Sequence, residues 1–300
     1  MPHTWQKLLT TQSISHDALG EALRLKERDD APGASIGTPL ATGDGWRVVD
    51  VLCTAGPADR PFEERHETAS IALVMSGTFV YRGARGSSLM SAGALLLGSP
   101  GQNYECSHQH GAGDHCLSFQ FEPELIGRLA HEAHASAGAL KRNYLPPSRV
   151  LAPLTARAAL ARWREDSYEE IACELAGSVL NLAARGTDDL PALSEYSARV
   201  SRVVRAMEAS IDEPHPLADL AKATGISRYH FLRTFKALTG VTPHHWLLRA
   251  RLRDAARRLA TTAAPVTAIA LDVGFEDLSN FIRSFRAEFG VSPSRYRAPR

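Results

Sequence analysis

The stretch Phe231-Leu-Arg-Thr-Phe-Lys-Ala-Leu-Thr-Gly-Val-Thr-Pro-His-His-Trp246 returns 50 residues later as Phe281-Ile-Arg-Ser-Phe-Arg-Ala-Glu-Phe-Gly-Val-Ser-Pro-Ser-Arg-Tyr296. Seven of the 16 positions are identical, and Leu/Ile, Thr/Ser, Lys/Arg and Trp/Tyr are close replacements at others. Two copies are too few for a solenoid, which needs at least three. The pattern therefore predicts one structural unit used twice. Phe281 and Phe285 sit four apart, the spacing that turns both toward a core from one helix face.

A second shared pattern lies upstream of each copy. Leu220-Ala221 is followed by Gly225-Ile226, and Ile269-Ala270 by Gly274-Phe275. Apolar Leu217, Leu220 and Ala221 at helical spacing predict a helix over about 216–223. Gly225 takes the positive φ that ends it. Ser227 caps the next helix by accepting from an orphan N–H, and small Ala221 lets that helix cross closely. This is the pattern of a helix-turn-helix. The second unit repeats it over 266–273 and 277–289. Between the units, Pro243 opens a helix to about residue 260, at a position where its missing N–H costs nothing. About 18 residues make a spacer of roughly 27 Å. An earlier helix over about 198–211 completes an all-helical bundle.

Net charge is only +1, yet it divides unevenly along the chain. Residues 195–300 carry 17 Lys and Arg against 10 Asp and Glu, a balance of +7, whereas residues 1–194 carry 17 against 23, a balance of −6. A basic third suits a polyanionic partner. The second helix of a helix-turn-helix fits the DNA major groove, and successive grooves on one face lie about 34 Å apart, a span the spacer and helix widths match. Double-stranded DNA is thus the predicted partner. Its predicted contacts are Arg228, Tyr229, Arg233 and Lys236 on one helix and Ser279, Asn280, Arg283 and Arg286 on the other. Arginine pairs bidentately with guanine and asparagine with adenine; the remaining cations suit phosphates, which position without specifying.

Residues 198–297 resemble the AraC/XylS family of bacterial transcription regulators. The resemblance rests on Leu217-Ala-Asp-Leu-Ala221, Gly225-Ile-Ser-Arg-Tyr229, Phe231 to Phe235 and Gly240-Val-Thr-Pro243. It is strongest from Ile269-Ala-Leu-Asp-Val-Gly-Phe275 through Phe281-Ile-Arg-Ser-Phe285 and Gly290-Val-Ser-Pro293 to Tyr296-Arg297. It implies base-reading positions at Tyr229, Leu232 and Arg233 and at Leu278, Ser279, Asn280 and Arg283. The two leucines stand where a polar reader is often seen, and suit thymine methyls. The resemblance also implies an N-terminal cupin-like β-barrel for effector sensing and dimerisation, a homodimer, and RNA polymerase as a partner; activation is the commoner role.

The first two-thirds read as strands over 46–54, 69–75, 78–82, 94–97, 103–109 and 116–121, with Gly-rich punctuation at Ser76-Gly77 and Ser99-Pro100-Gly101. Short strands with such turn signals predict a sandwich or barrel. Residues 5–28 have partial helical periodicity, and 122–185 become helical and rich in Ala and Leu. The expected organisation is α+β and multidomain: residues 1–185 a cupin-like sensing and dimerisation domain with flanking helices, 186–195 a linker, and 196–300 the DNA-binding domain.

One constellation here carries possible chemistry. Cys106, His108 and His110 alternate onto one face of a strand, Gly111-Ala-Gly113 turns the chain, and Cys116 returns beside them. Two thiolates and two imidazoles suit zinc, with iron or another transition metal as the alternative. His66 and His115 are alternative ligands. A reversible Cys106–Cys116 disulfide and a plain polar loop are the competing readings. Cys53 and Cys173 read as packing, and His131 and His134 as surface residues.

Two other functions fit the same features: a metal-dependent cupin enzyme, and an alkyl-transfer DNA repair protein carrying the same DNA-binding domain. No nucleophile–base pair or phosphate loop supports catalysis, so a non-enzymatic regulator is the expectation. A constitutive binder without sensing is the third possibility. With 44% hydrophobic and 22% charged residues the composition is that of a globular protein. No apolar run reaches the roughly 18 residues of a membrane helix, and the N-terminus lacks a signal-peptide core. A cytoplasmic location away from membranes is expected. The effector, operator and target genes are not legible.

Overall fold

The computed structural model describes residues 18–83, 86–108, 113–135, 140, 142–164, 166–184 and 196–297. His110 and the expected linker at 186–195 lie outside the described residues. The chain is mixed helix and sheet, followed by an all-helical region.

Helix α1 (Ala18–Arg28) precedes strands β1 (Ser35–Gly43), β2 (Trp46–Cys53), β3 (Phe62–Arg65), β4 (Ala69–Gly83), β5 (Gly86–Ser91), β6 (Leu95–Gly98), β7 (Asn103–Ser107) and β8 (Asp114–Phe121). Helix α2 (Pro123–Glu132), the short β9 (Tyr144–Leu145), α3 (Ala152–Arg164) and α4 (Tyr168–Ala184) follow. All strand pairs are antiparallel. The main sheet runs β1-β2-β8-β4-β6-β9. The far half of β4 pairs instead with β5 and β7, and β7 pairs with β3.

Ser76-Gly77 is therefore not the turn that its composition predicts. β4 runs through it, with a register shift against β8 between Val74 and Ser76. Gly77 has φ +82°, and a Cβ there would lie 2.5 Å from the Gly113 carbonyl oxygen. A bulge bends and twists its strand without reversing it. This one carries β4 from the main sheet into the second, and so folds the two sheets over one another.

Around β4, β6 and β8 the main sheet is buried on both faces. Leu117, Phe119 and Phe121 of β8, with Ile71 and Leu73 of β4, pack against Ile171, Leu175 and Val179 of α4. The alternating residues Cys116, Ala72 and Val74 join a second cluster with Phe79 and Tyr81. Two-sided burial makes these strands read as continuous apolar runs.

The helical region comprises α5 (Ser197–Ala209), α6 (Leu217–Thr224), α7 (Arg228–Thr239), α8 (Pro243–Thr261), α9 (Val266–Asp272), α10 (Leu278–Phe289) and α11 (Pro293–Arg297). The expected boundaries hold to within two residues. Helices α6 and α7 form one helix-turn-helix, α9 and α10 the other, and α8 serves both. Its first half gives Trp246 and Ala250 to the core around Phe231 and Phe235. Its second half gives Leu252, Ala255 and Leu259 to the core around Phe281 and Phe285. The ring centroids of each phenylalanine pair stand 5.6 Å apart, so the duplicated sequence builds duplicated packing. Among the described residues, no helix is long and apolar enough to cross a membrane.

Candidate functional site

Each second helix begins at a capped N-terminus. Ser227 Oγ accepts from His230 N–H at 3.3 Å. The Asp277 carboxylate accepts from Ser279 N–H and Asn280 N–H at 3.0 and 2.9 Å. Gly225 ends α6 at φ +70°, in the left-handed region that glycine enters without a side-chain clash. Burial of Phe231 and Phe235 turns the opposite face of α7 outward, and burial of Phe281 and Phe285 does the same for α10.

All eight polar positions expected on these faces are exposed: Arg228, Tyr229, Arg233 and Lys236 on α7, and Ser279, Asn280, Arg283 and Arg286 on α10. Tyr229 is 71% exposed, well beyond a core aromatic, and the Arg233 guanidinium lies 5.8 Å from its ring centroid. Leu278 is also exposed, while Leu232 is half-buried in a groove between the two units.

The angle between the units is fixed by a residue that the sequence reading did not single out. Arg251 of α8 donates to the Ile211 carbonyl at 2.6 Å and the Gly274 carbonyl at 2.7 Å. It also donates to the carbonyls of Glu213 at 2.9 Å and Asp212 at 3.3 Å. One guanidinium thus joins the loop before the first helix-turn-helix to the turn of the second.

The first domain packs on this region at several points. Ser201 Oγ and Thr78 Oγ1 are 3.1 Å apart, and Arg205 donates to Thr78 Oγ1 at 2.8 Å and to the Gly113 carbonyl at 3.0 Å. Gly77 N–H donates to Glu208 Oε1 at 3.3 Å. Burial pushes Glu208 up to about 7, against the pull of Arg253 and Arg205. On the second unit, Arg164 lies over the Tyr296 ring and donates to the Tyr296 carbonyl. Buried Glu288 of α10 faces Arg249 at 3.2 Å and Arg149 at 3.7 Å.

A cavity of about 690 Å³ lies between the two sheets. At one end His66 stacks on Tyr104 at 4.1 Å between ring centroids, and its Nε2 meets the Tyr81 hydroxyl at 2.9 Å. The other ring nitrogen is 3.3 Å from Ser70 Oγ. Burial drives His66 down to about 4, which keeps the ring neutral near pH 7. Cys53, Cys106, His108, Asp114 and Cys116 also line the cavity.

Three of the four expected metal ligands, Cys106, His108 and Cys116, thus line one cavity. Among the described residues, however, the donor atoms lying within 4.8 Å of one another are those of Cys53, His108 and Asp114. Cys53 stands opposite Asp114 across β2 and β8. His108 Nε2 lies 2.6 Å from Asp114 Oδ1, and Cys116 donates its S–H to Asp114 Oδ2 at 3.2 Å. Burial pushes the Cys53 thiol up to about 12, and Asp114 adds to the effect; Cys106 and Cys116 are driven up for the same reasons. All four cysteines are free. His115 pairs with Asp50 at 2.6 Å instead of joining the cluster. His131 and His134 are exposed, as expected.

A family model described as a helix-turn-helix domain matches residues 220–299. The chain is 32% identical over 174 residues to the transcriptional activator NphR of Rhodococcus sp, a match covering 57% of this chain and 48% of NphR. The chain thus spans about half the length of that relative. It is 34% identical over 98 residues to the regulatory protein SoxS of Salmonella typhimurium strain LT2, covering 33% of this chain and 92% of SoxS. Among solved structures, the C-terminal domain of AraT, a response regulator from Geobacillus stearothermophilus, is 29% identical; the match covers 36% of this chain and 89% of that one, with a TM-score of 0.34.

Proposed function

The chain belongs to the AraC/XylS family of DNA-binding transcription regulators, and we propose that it reads two adjacent segments of double-stranded DNA while its first domain senses an effector. The observation that carries this reading is the pair of exposed polar helix faces, α7 and α10, mounted on one helix and joined by Arg251. Arg228, Tyr229, Arg233 and Lys236 are the proposed contacts in one groove; Ser279, Asn280, Arg283 and Arg286 serve the next. The cavity between the sheets, in a cupin-like arrangement, is the proposed sensing site for a small molecule, a metal ion or a redox change. The docking of Arg205 on Thr78 and Gly113 supports a path from that cavity to the first unit, since Gly113 adjoins the cavity residue Asp114. A homodimer and a contact with RNA polymerase complete the proposal, on family membership.

Selection of duplexes from a random pool by the full chain tests the reading. A motif of two segments about one helical turn apart is expected. Arg283→Ala should then cost about 1–3 kcal/mol on the selected duplex and relax one base position, if it reads a base. Failure to enrich any motif, or an equal loss on random DNA, would overturn its role as a reader.

A further inference from the structure

We propose that Cys53, His108 and Asp114 form a binding site for a single divalent ion of the zinc class, a ligand set different from the one the local Cys/His spacing suggests. The three come from separate parts of the chain. Cys53 ends β2, Asp114 begins β8 directly opposite, and His108 follows β7 from the second sheet. All three are buried and line the same cavity.

Their chemistry fits one ion. Thiolate, imidazole and carboxylate are the donors that zinc accepts, and with bonds of about 2.0–2.3 Å a tetrahedral ion holds neighbouring donors roughly 3.3–3.8 Å apart. The present donors lie within 4.8 Å of one another, so side-chain shifts of about an ångström close the set. Magnesium and calcium ask for oxygen donors throughout and do not suit a thiolate.

A second observation points the same way. The His108 side chain is 1% exposed, and its Nδ1 has no hydrogen-bond partner among the described residues. A buried imidazole nitrogen without a partner is costly. The ring's Nε2 lies 2.6 Å from Asp114 Oδ1, closer than two ligands of one ion stand, so an ion held by both residues would replace that hydrogen bond. Packing alone explains an apolar thiol; it does not explain a carboxylate and a half-satisfied imidazole placed against it in the same interior. Three protein ligands leave a fourth position for water or for a donor atom of a cavity ligand.

The test uses the full chain, stripped with chelator and titrated with Zn²⁺ and with Co²⁺. One equivalent of zinc is expected, with X-ray absorption showing a single sulfur at about 2.3 Å and the remaining donors nitrogen or oxygen. Cobalt should give a thiolate charge-transfer band. Cys53→Ser and Asp114→Asn should weaken zinc binding by more than about 100-fold, while Cys106→Ser leaves it unchanged. The absorption measurement needs no variant, so a misfolded Cys53→Ser does not leave the question open. Two sulfurs, or loss of binding in Cys106→Ser with retention in Cys53→Ser, would return the site to Cys106, His108, His110 and Cys116 and overturn the proposal. No stoichiometric binding would overturn it as well. Metal binding is measured here without DNA, so this proposal and the sensing reading fail separately.

Discussion

Replacing Arg251 by methionine keeps the aliphatic stem and removes the guanidinium that joins the two helix-turn-helix units. Four carbonyls lose a donor. Those of Asp212 and Glu213 belong to exposed residues and regain water. Those of Ile211 and Gly274 belong to half-buried residues, and their bonds, at 2.6 and 2.7 Å, are the shortest of the set. Hydrogen bonds to a charged group are worth about 1.5–3 kcal/mol each, so the contact between units should weaken by about 2–4 kcal/mol after partial rehydration. Neither recognition helix loses a residue. The change falls only on their relative placement, which a two-segment duplex requires and a single segment does not. If half of the loss reaches the binding step, affinity for the two-segment duplex drops roughly 5- to 30-fold. Fluorescence anisotropy on the selected duplex, and on one with either half scrambled, separates these effects. Equal loss on all duplexes would mean that Arg251 supports the fold of one unit. Unchanged affinity on all, with unchanged hydrogen exchange at 211–213 and 274, would refute the bridging role altogether.

Two further predictions follow from the caps and the docking. Asp277→Ala removes the acceptor for two amides of α10 and should cost about 1–2 kcal/mol of helix stability, whereas Asp277→Asn keeps an acceptor and loses only charge; the alanine variant should bind the selected duplex roughly 3- to 10-fold more weakly than the asparagine variant, and equal binding would show that the first turn of α10 does not depend on its cap. Burial raises Glu208 from 4.5 to about 7 on folding, so its stabilising effect is full below about pH 4.5 and is lost as pH rises through 7; the melting temperature of Glu208→Gln should match the wild type near pH 5 and exceed it by pH 8, and parallel pH profiles would exclude a buried charge at that contact.

The helical third is legible because its determinants are local. The phenylalanine pairs are spaced within one helix, Ser227 and Asp277 cap helices that begin one residue later, and Gly225 sits at the turn it makes. Arg251 is not legible because its acceptors lie 23 to 40 residues away, and only the assembled bundle brings them within reach. The sheet domain is legible where burial is two-sided and the runs are apolar. β1 escapes because it is a half-exposed edge strand containing Pro39, Gly37 and Gly43. β9 has only two residues, and β3 and β5 are short and polar at one end. Cys53 reads as a packing residue because no other cysteine, histidine or carboxylate lies within two residues of it; Asp114 arrives only through strand register, 61 residues later.

The same register gives the cavity a mechanical connection to the DNA-binding region. Asp114 holds His108 and Cys116 on the cavity side, while the preceding residue, Gly113, accepts from Arg205 and would clash with any side chain at Gly77. Gly77 in turn donates to Glu208. Two positive-φ glycines in contact leave this corner little freedom to absorb a shift of Asp114 locally. Under the proposed sensing role, a cavity ligand that favours a different position of Asp114 would act on α5, and through α5 on the core of the first unit, where Val200, Val203 and Val204 pack with Phe231. The second unit is held separately, through Glu288 against Arg149 and Tyr296 against Arg164. A ligand can bias such an arrangement only by the difference in its affinity for the two placements. Because the units have separate anchors, the proposed sensing would work by a displacement at Gly113 that changes the relation between α7 and α10, with Arg251, bonded to both units, yielding to it or transmitting it.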